Sequence, residues 1–130
     1  MSSWMFVMKG DRKDFLQRLK SKNWPIYRNT GNRKRLKKND SVVFYLGGEK
    51  NKVIMGTAKI ASHLREDADT DFAVEISDVT IFRSPLPIHD IVDSIRFIRN
   101  KRNWGCYLQG GVIEIPSTDL ENIKSYNKKG

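Results

Sequence analysis

Ser41-Val42-Val43-Phe44-Tyr45-Leu46 is a run of β-branched and aromatic residues, halted by Gly47-Gly48. Such a run, bounded by turn glycines, is a strand. The next apolar stretch, Val53 to Ile60, predicts a second strand, with Gly56 as a bulge or a point of close approach. Upstream, Trp4 to Met8 is short and apolar and reads as a buried first strand. Between them, Asp11 can cap a helix, with Asp14 at its third position near the positive helix end. Phe15, Leu16 and Leu19 carry helical spacing to about Lys22, and Asn23-Trp24-Pro25 breaks it. Ile26 and Tyr27 then start another strand, and Arg28 to Asp40 is a basic loop.

Downstream, His63 to Asp71 reads as an acidic, polar loop. Phe72 to Phe82 alternates, with a change of face at Val79 and Ile81. Ser84-Pro85-Leu86-Pro87 reads as a turn, and Ile88, Ile91, Val92 and Ile95 repeat at helical spacing. Tyr107-Leu108 and Val112 to Ile115 are strand pieces around Gly110-Gly111. Pro116 to Glu121 opens a last helix, with Thr118 and Glu121 as a capping box. The sum is an α+β domain with a curved or closed sheet of about five or six strands and flanking helices. The domain is expected over residues 1–126, with a frayed basic tail at 127–130.

A chain of 130 residues fits one domain with one core. Its 24 Lys and Arg against 15 Asp and Glu give a net charge of +9. Such a balance favours polyanions, because phosphate neutralisation releases counterions. The single cysteine, Cys106, leaves no intrachain disulfide. Met1-Ser2-Ser3-Trp4 lacks the basic and apolar regions of a signal peptide. No apolar run approaches the roughly 18 residues of a membrane span. The expectation is a cytoplasmic protein with no membrane partner.

The catalytic inventory is thin. His63 and His89 share no metal spacing, and one cysteine builds no zinc site. There is no nucleophile elbow, P-loop or dinucleotide fingerprint. Glu66-Asp67 and Asp69 with Asp71 read as a solvated face. No metal, no cofactor and no catalytic residue is expected.

Binding chemistry is richer. Six of the eleven residues from Arg28 to Lys38 are Lys or Arg: Arg28, Arg33, Lys34, Arg35, Lys37 and Lys38. Asn29, Thr30, Gly31 and Asn32 lie among them and can meet phosphate oxygens. A second cluster, Arg96, Arg99, Lys101 and Arg102, adjoins Trp104. Trp4 reads as core, whereas Trp24 and Trp104 are indoles beside cations, the combination that stacks nucleobases.

Trp4-Met5-Phe6-Val7-Met8-Lys9, the helix from Asp14, Asn23-Trp24 and Gly31-Asn32-Arg33-Lys34-Arg35-Leu36 resemble the YTH family of methyl-base readers. Trp24 with Arg28-Asn29, the segment Leu36 to Tyr45, and Ile91 to Trp104 with Pro116 resemble the small prokaryotic EVE proteins. Both families belong to the PUA-like superfamily of closed β-barrels with flanking helices. The resemblance implies a flipped, methylated base in an aromatic cage, in DNA or RNA. N6-methyladenine comes first, and a modified cytosine is the alternative. It implies Trp24 as cage wall, the Pro25 carbonyl as acceptor for the exocyclic N–H, and Asp14 at the Watson–Crick edge. Lys9, Gly10 and Asp11 would line the floor, and Trp104 or Tyr27 would close the cage, since the loop 62–71 has no aromatic residue. Arg28, Asn29, Asn32, Arg33, Lys34, Arg35, Arg99, Lys101 and Arg102 would grip the backbone. The implied setting is a monomer serving as a module or partner of a modification-dependent restriction system. Two rivals remain: a PUA-like RNA-binding module blind to modification, and a small nuclease using Lys9 with Tyr27 or Tyr45.

Overall fold

The computed structural model describes all residues except 49, 50, 69, 70, 109 and 130, with the side chains of 106 and 127–129 also left aside. Asp69 and Gly130 thus lie outside the described residues.

Helix α1 (Arg12–Ser21) begins where its cap allows. The Asp11 carboxylate accepts the Asp14 N–H at 2.8 Å, and Lys22 ends the helix in the left-handed region at φ 60°. Strand β1 (Ser3–Lys9) precedes it and β2 (Asn23–Ile26) follows. The chain thus re-enters a strand at the tripeptide expected to be a plain break. Pro25 is tolerated because β2 is an edge strand, paired with β6 alone.

Strands β3 (Ser41–Gly47), β4 (Val53–Ile60), β5 (Arg65–Glu66), β6 (Phe72–Pro87) and β7 (Val112–Ile115) complete one mixed, curled sheet. Its order is β2-β6-β4-β3-β1-β7, with the two-residue β5 paired to β6. β1 runs parallel to β3 and antiparallel to β7. The α+β expectation holds, with β5 as an extra pairing inside the loop read as irregular.

Gly56 explains the sheet's bend. A Cβ there would lie 2.2 Å from the Thr80 carbonyl oxygen, and the β4–β6 register shifts beside it. A second register shift, between Thr57 and Lys59, faces Asp78, a non-glycine residue at φ 51°. This bulge turns Val79 and Ile81 outward, which accounts for the change of face in the sequence pattern. Leu16, expected on the core stripe of α1, is exposed beside them.

Three elements correct the sequence reading. Ser84 to Pro87 continues β6, because that half of the strand has β4 on one side and an open edge on the other. The Ile88 to Ile95 repeat forms two short 3-10 turns, Ile88–Asp90 and Val92–Ser94, not an α-helix, although all four apolar residues are buried. Tyr107-Leu108 lies in a 3-10 segment, Lys101–Leu108, not in a strand.

Helix α2 (Ser117–Lys129) starts one residue before Thr118, so Thr118 is not its cap. Asp119, fully buried, instead accepts the N–H groups of Arg96 at 2.8 Å and Phe97 at 3.0 Å. The helical backbone carries on through 127–129, beyond the expected end of the domain.

Alternation along the central strands splits the core in two. Trp4, Phe6 and Met8 of β1 join Val42, Phe44 and Leu46 of β3 on one face. Met5 and Val43 with Tyr45 face the other, under Ile88, Ile91, Ile95 and Ile123. Asp40 ties the first strand down. Its buried carboxylate accepts the Trp4 indole N–H at 2.9 Å and the backbone N–H groups of Ser2 and Lys37, each at 3.1 Å.

Gly56→Ala is expected to destabilise the protein by about 3 kcal/mol, since a backbone oxygen cannot move aside as a side chain could. Denaturant unfolding checks this. An unchanged midpoint would mean that β4 and β6 are not packed this closely.

Candidate nucleic-acid interface

Trp24 stands in the core, 2% exposed. Its ring centroid lies 4.9 Å from Phe44, 5.8 Å from Phe6 and 6.1 Å from Phe15. The Arg18 guanidinium, one helical turn after Asp14, sits over the indole at 5.3 Å. The expected cage wall is therefore a packed indole carrying a stacked cation, not an open aromatic face.

The segment Lys9-Gly10-Asp11 and the Asp14 carboxylate are exposed at the start of α1. Gly10 has φ 149°, a conformation side chains rarely adopt, and a Cβ there would lie 3.8 Å from Asp14 Oδ2. Asn51, which sequence reasoning passed over, fixes this turn. Its amide donates to the Gly10 carbonyl at 2.7 Å and to the Gly47 carbonyl at 3.2 Å.

The two residues expected to close the cage are elsewhere. Trp24 and Ile26 point into the core, so strand alternation turns Pro25 and Tyr27 away from it. Tyr27 is 49% exposed and lines a different cleft. Trp104 packs against the second core cluster, edge-on to His89 at 5.1 Å, with the Lys52 ammonium 6.0 Å from its centroid. Trp104 and Trp24 therefore lie on opposite faces of the sheet, and neither Tyr27 nor Trp104 can sandwich a base against Trp24.

The basic loop 28–36 leaves edge strand β2 and reaches the opposite edge, β7. The Asn32 amide donates to the Val112 carbonyl at 3.1 Å, and Arg35 bonds Glu114 at 2.8 Å. Arg35 also lies 5.5 Å over the Trp4 ring. Arg28 donates its backbone N–H to Asp71 at 2.7 Å, and its side chain pairs with the same carboxylate at 3.8 Å. Asp71, read as solvated, thus positions the loop. Arg33 donates to the Thr30 carbonyl at 3.3 Å and lies over the Phe72 ring, and its buried Nε has no hydrogen-bond partner. Lys34, Lys37, Lys38 and Asn29 are exposed.

In the second cluster, Arg96 and Arg99 line a groove with Glu114 and Pro116, next to the first cluster's Arg35–Glu114 pair. Lys101 differs from expectation. Its ammonium donates to the Ile95 carbonyl at 2.5 Å, which gives it a role within the fold. Arg102 is exposed.

Among the described residues, no three His, Cys, Asp or Glu side chains gather as a metal site, and no helix is long and apolar enough to cross a membrane. Tyr45, one of the acid–base candidates of the nuclease reading, is buried in the second core cluster, and burial pushes its phenol up to about 12.

A curled mixed sheet, a capped α1 laid over an aromatic cluster, and a basic loop strung between the sheet edges define a small α+β domain of the PUA-like kind. A family model for the EVE domain matches residues 2–126, and the chain belongs to that family. A UPF0310 protein of Pyrococcus abyssi is 28% identical over 143 residues, covering 96% of this chain and 99% of the relative. Human THYN1, solved in complex with DNA containing 5-methylcytosine, shares the fold at a TM-score of 0.72. It is 14% identical, with 100% of this chain and 99% of that one covered. The YTH domain of Zygosaccharomyces rouxii MRB1, solved with N6-methyladenosine RNA, matches at a TM-score of 0.66 and 17% identity, with 96% and 86% covered. The likeness to the EVE proteins drawn from the sequence is right in family, and the YTH domain shares the fold.

The buried Tyr45 also makes a stability prediction. Its folded pKa lies above the unfolded value of 10. Its contribution is therefore fully present below pH 10 and is lost as pH rises through about 12. Tyr45→Phe should lose less stability than wild type between those limits, by on the order of 2 kcal/mol. Equal slopes in thermal melts across that range would contradict a buried, protonated phenol.

Proposed function

We propose that this chain reads modified nucleic acid without catalysis, taking a flipped, methylated base against Trp24. The observation that carries the reading is the indole itself. Three aromatic rings fix its orientation, while the group over it is a planar guanidinium on a half-buried side chain. A guanidinium and a nucleobase are both flat and both stack on indole. The base would replace Arg18 over the ring and bring its polar edge towards Asp14 and the Gly10 turn. Exposed lysines of the basic loop would supply the non-specific phosphate attraction.

The two solved complexes of this fold support the class of ligand, since one holds 5-methylcytosine DNA and the other N6-methyladenosine RNA. N6-methyladenine is the first candidate by resemblance. Asp14 favours the second, a modified cytosine. An ionised carboxylate only accepts hydrogen bonds, so it suits the cytosine N4–H and not adenine N1. In the cell such a domain would act as the recognition module of a modification-dependent restriction activity carried elsewhere.

The test is binding of short labelled DNA and RNA strands, unmodified or carrying N6-methyladenine or 5-methylcytosine, at one salt concentration. A buried methyl contributes roughly 0.8 kcal/mol, so a preference of at least about four-fold for one modified probe is expected. Trp24→Ala would remove core volume worth about 3–5 kcal/mol, so Trp24→Leu, checked by its melting curve, is the better variant and should abolish the preference. Equal wild-type binding to every probe would leave a general nucleic-acid-binding domain of this fold.

A further inference from the structure

Beside the basic loop lies a cleft of about 550 Å³ that Trp24 does not enter. Its walls are Tyr27, Asn29 and Thr30 on one side, and Gly110, Gly111 and Ile113 on the other. Among the described residues Tyr27 is the one aromatic that is among the exposed large hydrophobics. Among the described residues, no acidic side chain lines the cleft.

The cleft's glycines have no account in the fold. Gly31, Gly110 and Gly111 are absent from the positive-φ positions. A Cβ at Gly31 would meet nothing within 4 Å, and at Gly110 and Gly111 it would make ordinary contacts, the nearest at 3.5 and 3.6 Å. Neither backbone conformation nor packing requires three glycines here. What glycine does provide is bare backbone, open to the close approach of a ligand.

We propose that this cleft seats an unpaired nucleotide next to the one held at Trp24, its base stacked on Tyr27 and its sugar-phosphate against the bare glycine backbone. The site rests on the nucleic-acid reading above and adds a second position to it. Tyr27 follows Trp24 by three residues of extended chain, roughly 10 Å, a reach that suits neighbouring nucleotides. Asn29, exposed on the same wall, offers an amide to a base edge or a phosphate. A paired neighbour would keep its base in the duplex stack and leave Tyr27 uncovered. The cleft therefore makes the protein a reader of single-stranded or locally opened substrates.

The experiment is fluorescence anisotropy with single strands, modified and unmodified, either intact or carrying one abasic position moved along the strand. Tyr27→Ala should weaken binding to intact single strands by about ten-fold, and Tyr27→Phe by less than about two-fold. One abasic position should cost wild type the same factor and cost Tyr27→Ala nothing. Gly31→Ala and Gly111→Ala should weaken binding several-fold with melting temperatures unchanged or slightly raised. Tyr27→Ala binding like wild type, or losing equally on every abasic probe, would overturn the cleft site. That result is distinct from failure of the modified-base reading, which shows as equal wild-type affinity for modified and unmodified strands. Absence of binding to any strand would overturn both.

Discussion

The packing of Trp24 against Phe6, Phe15 and Phe44 is the contact on which the arrangement depends. Those four rings belong to β2, β1, α1 and β3, so one cluster fixes the helix on the sheet and the edge strand to its centre. Aromatic pairs contribute about 0.5–1.5 kcal/mol each beyond the area they bury. Phe15 makes a further edge contact with Phe44 at 5.5 Å, which closes the cluster. Everything assigned to base recognition hangs from it. Asp14 and Arg18 ride on the same helix as Phe15, and the Gly10 turn joins that helix to the strand bearing Phe6. An indole locked in this way cannot turn to follow a ligand. Under the proposed function the base would come to it, and Arg18 would give way.

The basic loop solves a different problem with the same residues. The strand order of the curled sheet ends in β2 and β7, and unpaired edges invite association. The loop 28–36 crosses between them, held by Asn32 on Val112 and Arg35 on Glu114. Arginines that sequence reasoning assigned wholly to phosphate are thus partly spent within the protein, on Asp71, Glu114 and the rings of Phe72 and Trp4. Lys34, Lys37 and Lys38 stay exposed. This division suits the chemistry, since planar arginine binds carboxylates and rings with fixed geometry and lysine acts as a mobile point charge.

Much of the fold was legible in local pattern. The β3 run, the Asp11 cap and the alternation of β6 each announce an element within a few residues. Prolines misled where edges permit them: Pro25 in β2, and Pro85 with Pro87 in the open half of β6. Neither edge can be recognised until the strand order is known. Contacts between residues far apart in sequence were equally invisible, as with Asp40 on Trp4 and Asp119 on the backbone of Arg96 and Phe97. At the site, resemblance named Lys9 to Asp11, Asp14 and Trp24, which the structure distributes over the end of β1, the start of α1 and β2. It failed for Tyr27 and Trp104 because the face a residue takes decides its partner. Tyr27 is one position out of phase with Ile26, and Trp104 belongs to the core on the sheet's other side.

A modified base taken by the Trp24 indole, as proposed, would perturb that indole's signal in a proton–nitrogen spectrum. Trp4, whose indole N–H is held by buried Asp40, provides an internal reference. Titration with single strands carrying N6-methyladenine or 5-methylcytosine should move the Trp24 indole resonance, leave that of Trp4 nearly in place, and show a weaker response to the unmodified strand. A Trp24 resonance that stays fixed while the strands bind would contradict the account, and so would equal movement with modified and unmodified strands.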